Sequence, residues 1–254
     1  MVLAAGLGTR LRPLTLDRPK PLVAVAGRPL ITYNLCLLRR YGVRDVIINL
    51  HHRGEVLRAA LGDGSAWGLR IQYSPEDPLL ETGGAIKNVE DALASEEDFL
   101  VLNGDTIIDL PLDCLIAAHR ARAATATLVL RRDPAEERYG VVEIDASERI
   151  RRFLGRPDTT TVPLTPYMFA GVHVLSRQVF RYMPERRAFS MTRETYPAML
   201  AAGEPLYGFP FGGYWRVIDT VEDLARATAD LEAAPRLHHL RPPPPRLTDS
   251  SNVG

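Results

Sequence analysis

Gly6, Gly8, Thr9, Arg10, Arg12 and Lys20 fall within the opening stretch MVLAAGLGTRLRPLTLDRPKP. Backbone N–H groups in a glycine-rich turn form a nest that favours anions, and glycine lets the chain come close to a ligand. Arg10, Arg12 and Lys20 add fixed positive charge, so the stretch suits a polyphosphate. The Walker spacing Gly-x-x-x-x-Gly-Lys-Ser/Thr is absent. The dinucleotide spacing Gly-x-Gly-x-x-Gly fails at its third position, which is Leu11, and this disfavours a hydride-transfer enzyme. Asp105 closes the run Leu102-Asn103-Gly104-Asp105. A carboxylate there can hold Mg²⁺, which takes one or two carboxylates with phosphate oxygens and water; it can equally be an ordinary strand-end turn residue. His51-His52 has no neighbouring Cys or His to complete a zinc site, and Ser190 has no evident base.

These residues need elements that hold them. Val2-Leu3-Ala4-Ala5, leading into the glycines, reads as a buried strand. Helices are expected from Pro29 to Tyr41, stopped by Gly42, and from Gly54 to Leu61. Val46–Leu50, Leu69–Tyr73 and Phe99–Leu102 read as strands, and Thr82 is a candidate cap for a helix over Gly84–Leu93. Alternating strands and helices over about 105 residues predict a mixed, mostly parallel sheet flanked by helices. Ligands of such sheets bind beyond the carboxyl ends of the strands, which puts the glycine loop and Asp105 on one rim. The second half reads as a helix over Leu112–Ala123 and strands over Thr125–Arg131, Tyr139–Asp145, Ile150–Phe153, Phe169–Leu175 and Pro205–Phe211. Helices follow over Arg177–Tyr182, Arg193–Ala202 and Val221–Ala233.

Composition adds bounds. At 254 residues with 46% hydrophobic residues, a substantial core and one large α/β unit are expected. The formal net charge of +0 gives no bulk affinity for nucleic acid or membranes. Cys36 and Cys114 read as buried, reduced thiols. No apolar run approaches the roughly 18 residues of a membrane span, and no signal peptide is evident, so a cytoplasmic protein is expected. Residues 235–254, with Pro242-Pro243-Pro244-Pro245, read as a disordered tail.

Gly-x-Gly-Thr-Arg-Leu-x-Pro-Leu-Thr followed by Pro19-Lys20-Pro21 resembles the signature of the sugar nucleotidyltransferases, and the resemblance runs from Met1 to about Leu231. It implies a Rossmann-like GT-A fold, with residues 1–110 as the nucleotide-binding half and 111–234 as the sugar-phosphate-binding half. Several members carry a C-terminal β-helix, which this sequence lacks. The implied reaction joins an NTP and a sugar 1-phosphate into an NDP-sugar with release of pyrophosphate. By resemblance Arg10 and Lys20 are catalytic, and Asp105 binds Mg²⁺. Leu3, Ala4, Ala5, Gly6, Gly8, Thr9, Glu81, Thr82, Gly83, Gly84, Asn103 and Gly104 line the nucleotide. In Glu81-Thr82-Gly83-Gly84 the glycines would let a flat base lie on backbone. Gly140 (in the tandem Tyr139-Gly140), Arg156 and Gly171 face the sugar phosphate. The implied partners are the NTP and sugar 1-phosphate, not nucleic acid or membrane; a homo-oligomer is compatible.

Three positions depart from the family pattern. Gly155-Arg156-Pro157 stands for Glu-Lys-Pro, which keeps a phosphate-binding cation and drops a carboxylate. Phe169-Ala170-Gly171 stands for Asn-Ala-Gly, a variant resembling members that act on mannose- or muramic-type sugar phosphates. In Trp215-Arg216-Val217-Ile218-Asp219-Thr220, Val217 occupies the usual place of a second metal Asp. Asp219, two residues on, points to the same side of an extended segment and is a candidate ligand; it is equally a candidate cap for the helix near Val221. The pattern leans toward a mannose-1-phosphate guanylyltransferase. UTP with N-acetylmuramate 1-phosphate, dTTP with glucose 1-phosphate, and a non-catalytic nucleotide-sugar sensor are the alternatives.

Overall fold

The structure, a computed structural model, describes residues 1–132, 140–156, 161–185, 187–233 and 237–240. Its strands, in chain order, are β1 Val2–Leu3, β2 Ala24–Val25, β3 Arg28–Pro29, β4 Asp45–Leu50, β5 Arg70–Pro75, β6 Asp98–Asn103, β7 Thr106–Ile108, β8 Ala126–Arg131, β9 Val141–Ile144, β10 Ile150–Phe153, β11 Thr165–Ser176, β12 Leu206–Pro210 and β13 Trp215–Val217. The α-helices are α1 Ile31–Arg40, α2 Gly54–Leu61, α3 Glu81–Lys87, α4 Glu90–Leu93, α5 Leu112–Ala121, α6 Tyr196–Ala201 and α7 Val221–Glu232. The expected α/β arrangement, a mixed sheet with flanking helices, is present. Tyr139, Pro157, most of the Thr/Pro loop and the polyproline run lie outside the described residues. Among the described residues, no helix is long and apolar enough to cross a membrane.

The chain packs as two compact units. One gathers residues 2–75, 104–110 and the described residues from Tyr214 on. There β4 pairs in parallel with both β1 (Val2 opposite Ile48) and β5. Val2, Val46, Ile48 and Leu50 are buried with Leu35 and Leu38 of α1 and Leu57 and Leu61 of α2; Val46, Ile48 and Leu50 share one face of β4, while the other carries exposed Asp45, half-buried Ile47 and buried Asn49. In the same unit β13 runs antiparallel to β7, with Trp215 opposite Ile108 and Val217 opposite Thr106. The α7 helix begins with a capping box: the Thr220 hydroxyl accepts from the Asp223 amide, and the Asp223 carboxylate accepts from the Thr220 amide at 2.8 Å. Asp109, just past β7, is buried and accepts the backbone amides of His238, His239 and Leu240 at 2.8, 2.7 and 2.6 Å. The described part of the C-terminal stretch is thus held to the unit by this carboxylate, by a bond between the Tyr41 hydroxyl and His239 Nδ1 at 2.5 Å, and by burial of Leu240.

The other unit gathers Met1, residues 76–103 and 111–213. Its long strand β11 pairs antiparallel with β6, β8 and β9; β12 adds in parallel to β8. The register of β11 against β8 shifts between Phe169 and His173, around the positive-φ Gly171. Such a bulge bends the strand and re-aims its side chains.

Several expectations shift in detail. Pro29 does not open α1; it pairs with Ala24 in a two-residue ladder, and the helix starts at Ile31. Thr82 does not cap a helix. It lies inside α3, where its hydroxyl accepts from the Met191 amide at 3.0 Å, and the expected helix is broken into α3 and α4. The helix expected from Arg193 begins as a π-helical turn over Met191–Thr195 before α6. Cys114 is exposed rather than buried, and Cys36 is partly covered.

His173 on β11 is 2% exposed, and its Nδ1 bonds the hydroxyl of fully buried Tyr196. Burial pushes its pKa down to about 3. His119 is also lowered, by burial that outweighs the attraction of Asp98. A histidine kept neutral in the fold binds its proton more readily in the unfolded chain, where its pKa is about 6.5. Stability is therefore full above that value and falls as the pH drops toward the folded pKa. The expected slope is about 1.4 kcal/mol per pH unit from His173, with His119 adding to it. Urea melts between pH 7 and pH 4.5 check this, and His173→Gln should flatten the slope by about that amount.

Candidate active site

The loop after β1 is held from below. At the end of β4, Asn49 turns its side chain into the core, where Oδ1 accepts the Ala4 amide at 2.6 Å. That bond leaves the chain free to turn at Ala5 and Gly6. Gly8 has φ +62°, and a Cβ there would meet Lys20 Cβ at 3.0 Å and Thr15 Cγ2 at 3.1 Å. Glycine is thus required twice, by the left-handed backbone and by the crossing of the Lys20 segment. Thr15 Oγ1 donates to the Gly8 carbonyl at 2.8 Å, closing the loop on itself. Gly6 differs: nothing lies within 4 Å of where its Cβ would stand. The protein itself does not demand a glycine there.

Four charged side chains of this unit meet beside the loop. Lys20 Nζ donates to Asp105 Oδ2 and to Asp219 Oδ1, each at 2.8 Å. Arg10 Nη2 pairs with Asp219 Oδ2 at 3.1 Å. The side chains of Lys20 and Asp219 are 10% and 12% exposed, Asp105 is 32% and Arg10 61%. The cluster thus grades from a buried ammonium to an open guanidinium. Pro19 and Pro21 fix the backbone on either side of Lys20, which opens a short 3₁₀ turn. Burial alone would lower the pKa of Lys20; the charge of Asp105 and hydrogen bonds to both carboxylates outweigh it and raise the value.

The β7–β13 ladder brings Asp105 and Asp219 together. Asp105 precedes β7, Asp219 follows β13, and the Ile218 amide donates to the Asp105 carbonyl at 2.9 Å. Gly104 is tied to β1 by its amide on the Leu3 carbonyl at 2.8 Å, and a Cβ on it would come 2.7 Å from that oxygen. Of the two readings open for Asp219, the helix cap falls to its neighbour Thr220, and the Asp219 carboxylate turns to Lys20 and Arg10. Val217 lies within β13, opposite Thr106. Among the described residues no group of three or more His, Cys, Asp or Glu gathers as a metal site; the carboxylate pair is the donor set present here.

Thr9 opens the 3₁₀ turn Thr9–Leu11 of the same loop; Glu81, Thr82, Gly83, Gly84, Asn103, Gly140, Arg156 and Gly171 lie in the other unit. Glu81 has φ +59°, and its carboxylate pairs with Arg193 at 2.5 Å. Gly83 and Gly84 donate to the Phe189 carbonyl at 2.9 and 3.2 Å. A Cβ on Gly83 would strike the Phe189 ring at 2.2 Å, and one on Gly84 the Arg187 carbonyl at 2.6 Å. The Cβ direction of each of these two glycines is filled by the chain around Arg187–Phe189. Gly171 (φ +81°) packs on the Asn103 side chain, 2.9 Å from its amide nitrogen to a built Cβ, and Gly140 (φ +85°) packs on Leu154. Arg156 is exposed beside a short bridge to Phe153. Sequence reasoning missed the roles of Asn49, Asp109 and Arg193. Only Asn49 left a trace, as a lone amide in an apolar strand.

A family model described as nucleotidyl transferase matches residues 1–234, and the chain belongs to that family. It is 40% identical over 232 residues to a Mycobacterium tuberculosis protein named mannose-1-phosphate guanylyltransferase, covering 91% of this chain and 64% of the relative. It is 30% identical over 239 residues to a Synechocystis protein named UTP–glucose-1-phosphate uridylyltransferase, covering 89% and 61%. The chain thus spans a little over three fifths of the length of these curated relatives. A Bacillus anthracis crystal structure described as a glucose-1-phosphate thymidylyltransferase superposes with a TM-score of 0.76 at 25% identity, covering 90% of this chain and 92% of that one.

The two glycines of the loop predict opposite outcomes. Gly8→Ala should cost about 2 kcal/mol or more, from an L residue held in the left-handed region and pressed on Lys20. Gly6→Ala should stay within about 0.5 kcal/mol of the parent. Equilibrium urea unfolding of the two variants checks both values.

Proposed function

We propose that this member of the nucleotidyl transferase family is a sugar-1-phosphate nucleotidylyltransferase. It would convert an NTP and a sugar 1-phosphate into an NDP-sugar and pyrophosphate. The observation that carries the reading is the cluster of Arg10, Lys20, Asp105 and Asp219 beside a glycine loop. An oxygen of the sugar phosphate attacks the α-phosphorus in line, the bond to the bridging oxygen breaks, and pyrophosphate leaves with that electron pair. Such transfers need alignment and charge neutralisation more than covalent help. The Gly6–Thr9 backbone and Arg10 would hold the triphosphate, with Leu3, Ala4, Ala5 and Gly104 shaping the floor. Arg10 offers a planar fork for two oxygens, and Lys20 a compact point charge for the α-phosphate.

Asp105 and Asp219 would hold Mg²⁺. Two carboxylates completed by phosphate oxygens and water suit this ion, and the pair stands together in the structure. When bound, Mg²⁺ neutralises charge on the reacting phosphate oxygens. Glu81, Thr82, Gly83, Gly84 and Asn103 would serve the nucleotide, and Gly140, Arg156 and Gly171 the sugar phosphate within a 111–234 half. The favoured pair is GTP with mannose 1-phosphate, supported by the 40% identical relative and by Phe169-Ala170-Gly171. UTP and dTTP pairs follow from the names of other relatives. The same reading expects a cytoplasmic protein.

Val217 favours a second reading, a nucleotide-sugar-binding regulatory subunit without turnover. The presence of Arg10, Lys20 and Asp105 together weighs for the enzyme.

Pyrophosphate release with Mg²⁺, across the four NTPs and a panel of sugar 1-phosphates, tests both. One productive pair is expected. Asp105→Asn and Arg10→Gln should each lower kcat/KM by about 10²-fold or more, while Gly6→Ala should fold normally and weaken NTP binding. No release with any pair, followed by turnover in Val217→Asp, would establish the regulatory reading instead.

A further inference from the structure

Lys20 stands where a cation between two carboxylates would stand. Its Nζ makes equal 2.8 Å bonds to Asp105 Oδ2 and Asp219 Oδ1, and Arg10 takes the other oxygen of Asp219. Two carboxylates and two cations cancel, so the bonded cluster is already neutral. Adding a divalent cation alone would leave the cluster, in which the Lys20 and Asp219 side chains are largely buried, with two uncompensated positive charges, which a partly desolvated site resists. A triphosphate changes that balance, because its oxygens are partners for Arg10 and Lys20.

We infer that Lys20, assisted by Arg10, is a resident counter-ion that occupies the cation position of the Asp105–Asp219 pair and competes with divalent metal for it. Nucleotide phosphates draw the two basic side chains away and so open the carboxylates to metal. The order of loading follows: metal enters with or after nucleotide, not before it. This rests on the reading of Asp105 and Asp219 as metal ligands. It adds to that reading a role for Lys20 before any chemistry occurs. Lysine suits the role because an ammonium is a compact point charge on a flexible stem. The sequence underlines the choice: of its 31 basic residues only Lys20 and Lys87 are lysine.

The test uses Mn²⁺ alone, titrated by electron paramagnetic resonance into the full chain without nucleotide. Wild type should bind weakly. Lys20→Met, similar in length and uncharged, should bind about 10–100-fold tighter, the scale on which a group bonded to a ligand shifts metal affinity. Lys20→Met with Asp219→Asn should lose the gain. A Lys20→Met protein that binds Mn²⁺ no tighter than wild type overturns the inference. Should Lys20→Met fail to fold even with Mn²⁺ present, the wild type decides by amine acylation read by mass spectrometry. Rising Mn²⁺ should increase labelling of Lys20 while Lys87, the internal reference, stays constant; a flat Lys20 signal overturns the inference. Activity fails separately. If wild type releases no pyrophosphate yet Lys20→Met gains metal affinity, the competition stands and the transferase reading falls. If wild type is active and the gain is absent, only the counter-ion role falls.

Discussion

An ammonium taken out of water costs several kcal/mol unless its partners are already in place. Lys20 meets that condition with two carboxylates from distant parts of the chain, at sequence separations of 85 and 199 residues. Its raised pKa expresses the outcome: burial works against the charge, and Asp105 and Asp219 more than restore it. Much of the local design around the loop serves this contact. Prolines on both sides hold the Lys20 backbone, Gly8 gives way to its Cβ, and the β7–β13 ladder delivers both acids to one place. Removing one partner would leave a buried charge without compensation, the arrangement in which a buried pair is most sensitive to mutation.

The same contact limits what the site can do at rest. A cluster whose charges cancel has little affinity for a free cation and little field to offer a free anion. Its reactivity comes from separability: Arg10 is open to solvent, and Lys20 sits one step further in. A ligand with several phosphate oxygens can take both. The grading of exposure from 61% at Arg10 to 10% at Lys20 suits a sequence in which the outer cation is engaged before the inner one.

Much of this was legible in the sequence, and for physical reasons. Short apolar runs bounded by polar residues have few alternatives to a buried strand, so the readings of β4 and β6 agree with the structure to within a residue. The glycine loop and Lys20 stand out in the sequence because glycines, basic residues and flanking prolines crowd into one short stretch, and the structure places Lys20 against Asp105. What escaped was long-range. Asp109 receives amides from residues more than 125 positions away, and no local pattern announces that. The pairing of Glu81 with Arg193 likewise spans 112 residues. Thr82 looked like a cap because its type suits one; its hydroxyl went to the Met191 amide instead, since the π-helical turn there leaves that donor to be satisfied. At Gly83 and Gly84 the side that a Cβ would occupy is filled by the chain around Phe189, more than 100 residues away, which no local pattern announces.

Asp219 lies where the end of a short ladder carries it to Lys20 and Arg10. In β13 the residues alternate between faces, and the chain runs on past the strand through Ile218 to Asp219. Val217 is partly exposed, Ile218 is fully buried, and Asp219 stands one pleat beyond Val217. The amide of Ile218 on the Asp105 carbonyl holds that end of the strand in register, so Asp219 still meets the partner of Asp105. Thr220 takes over the helix cap and leaves Asp219 free to turn inward. Ile218, fully buried beside the ladder, and Asp219, turned to Lys20 and Arg10, divide the two tasks of core and charge between neighbouring residues.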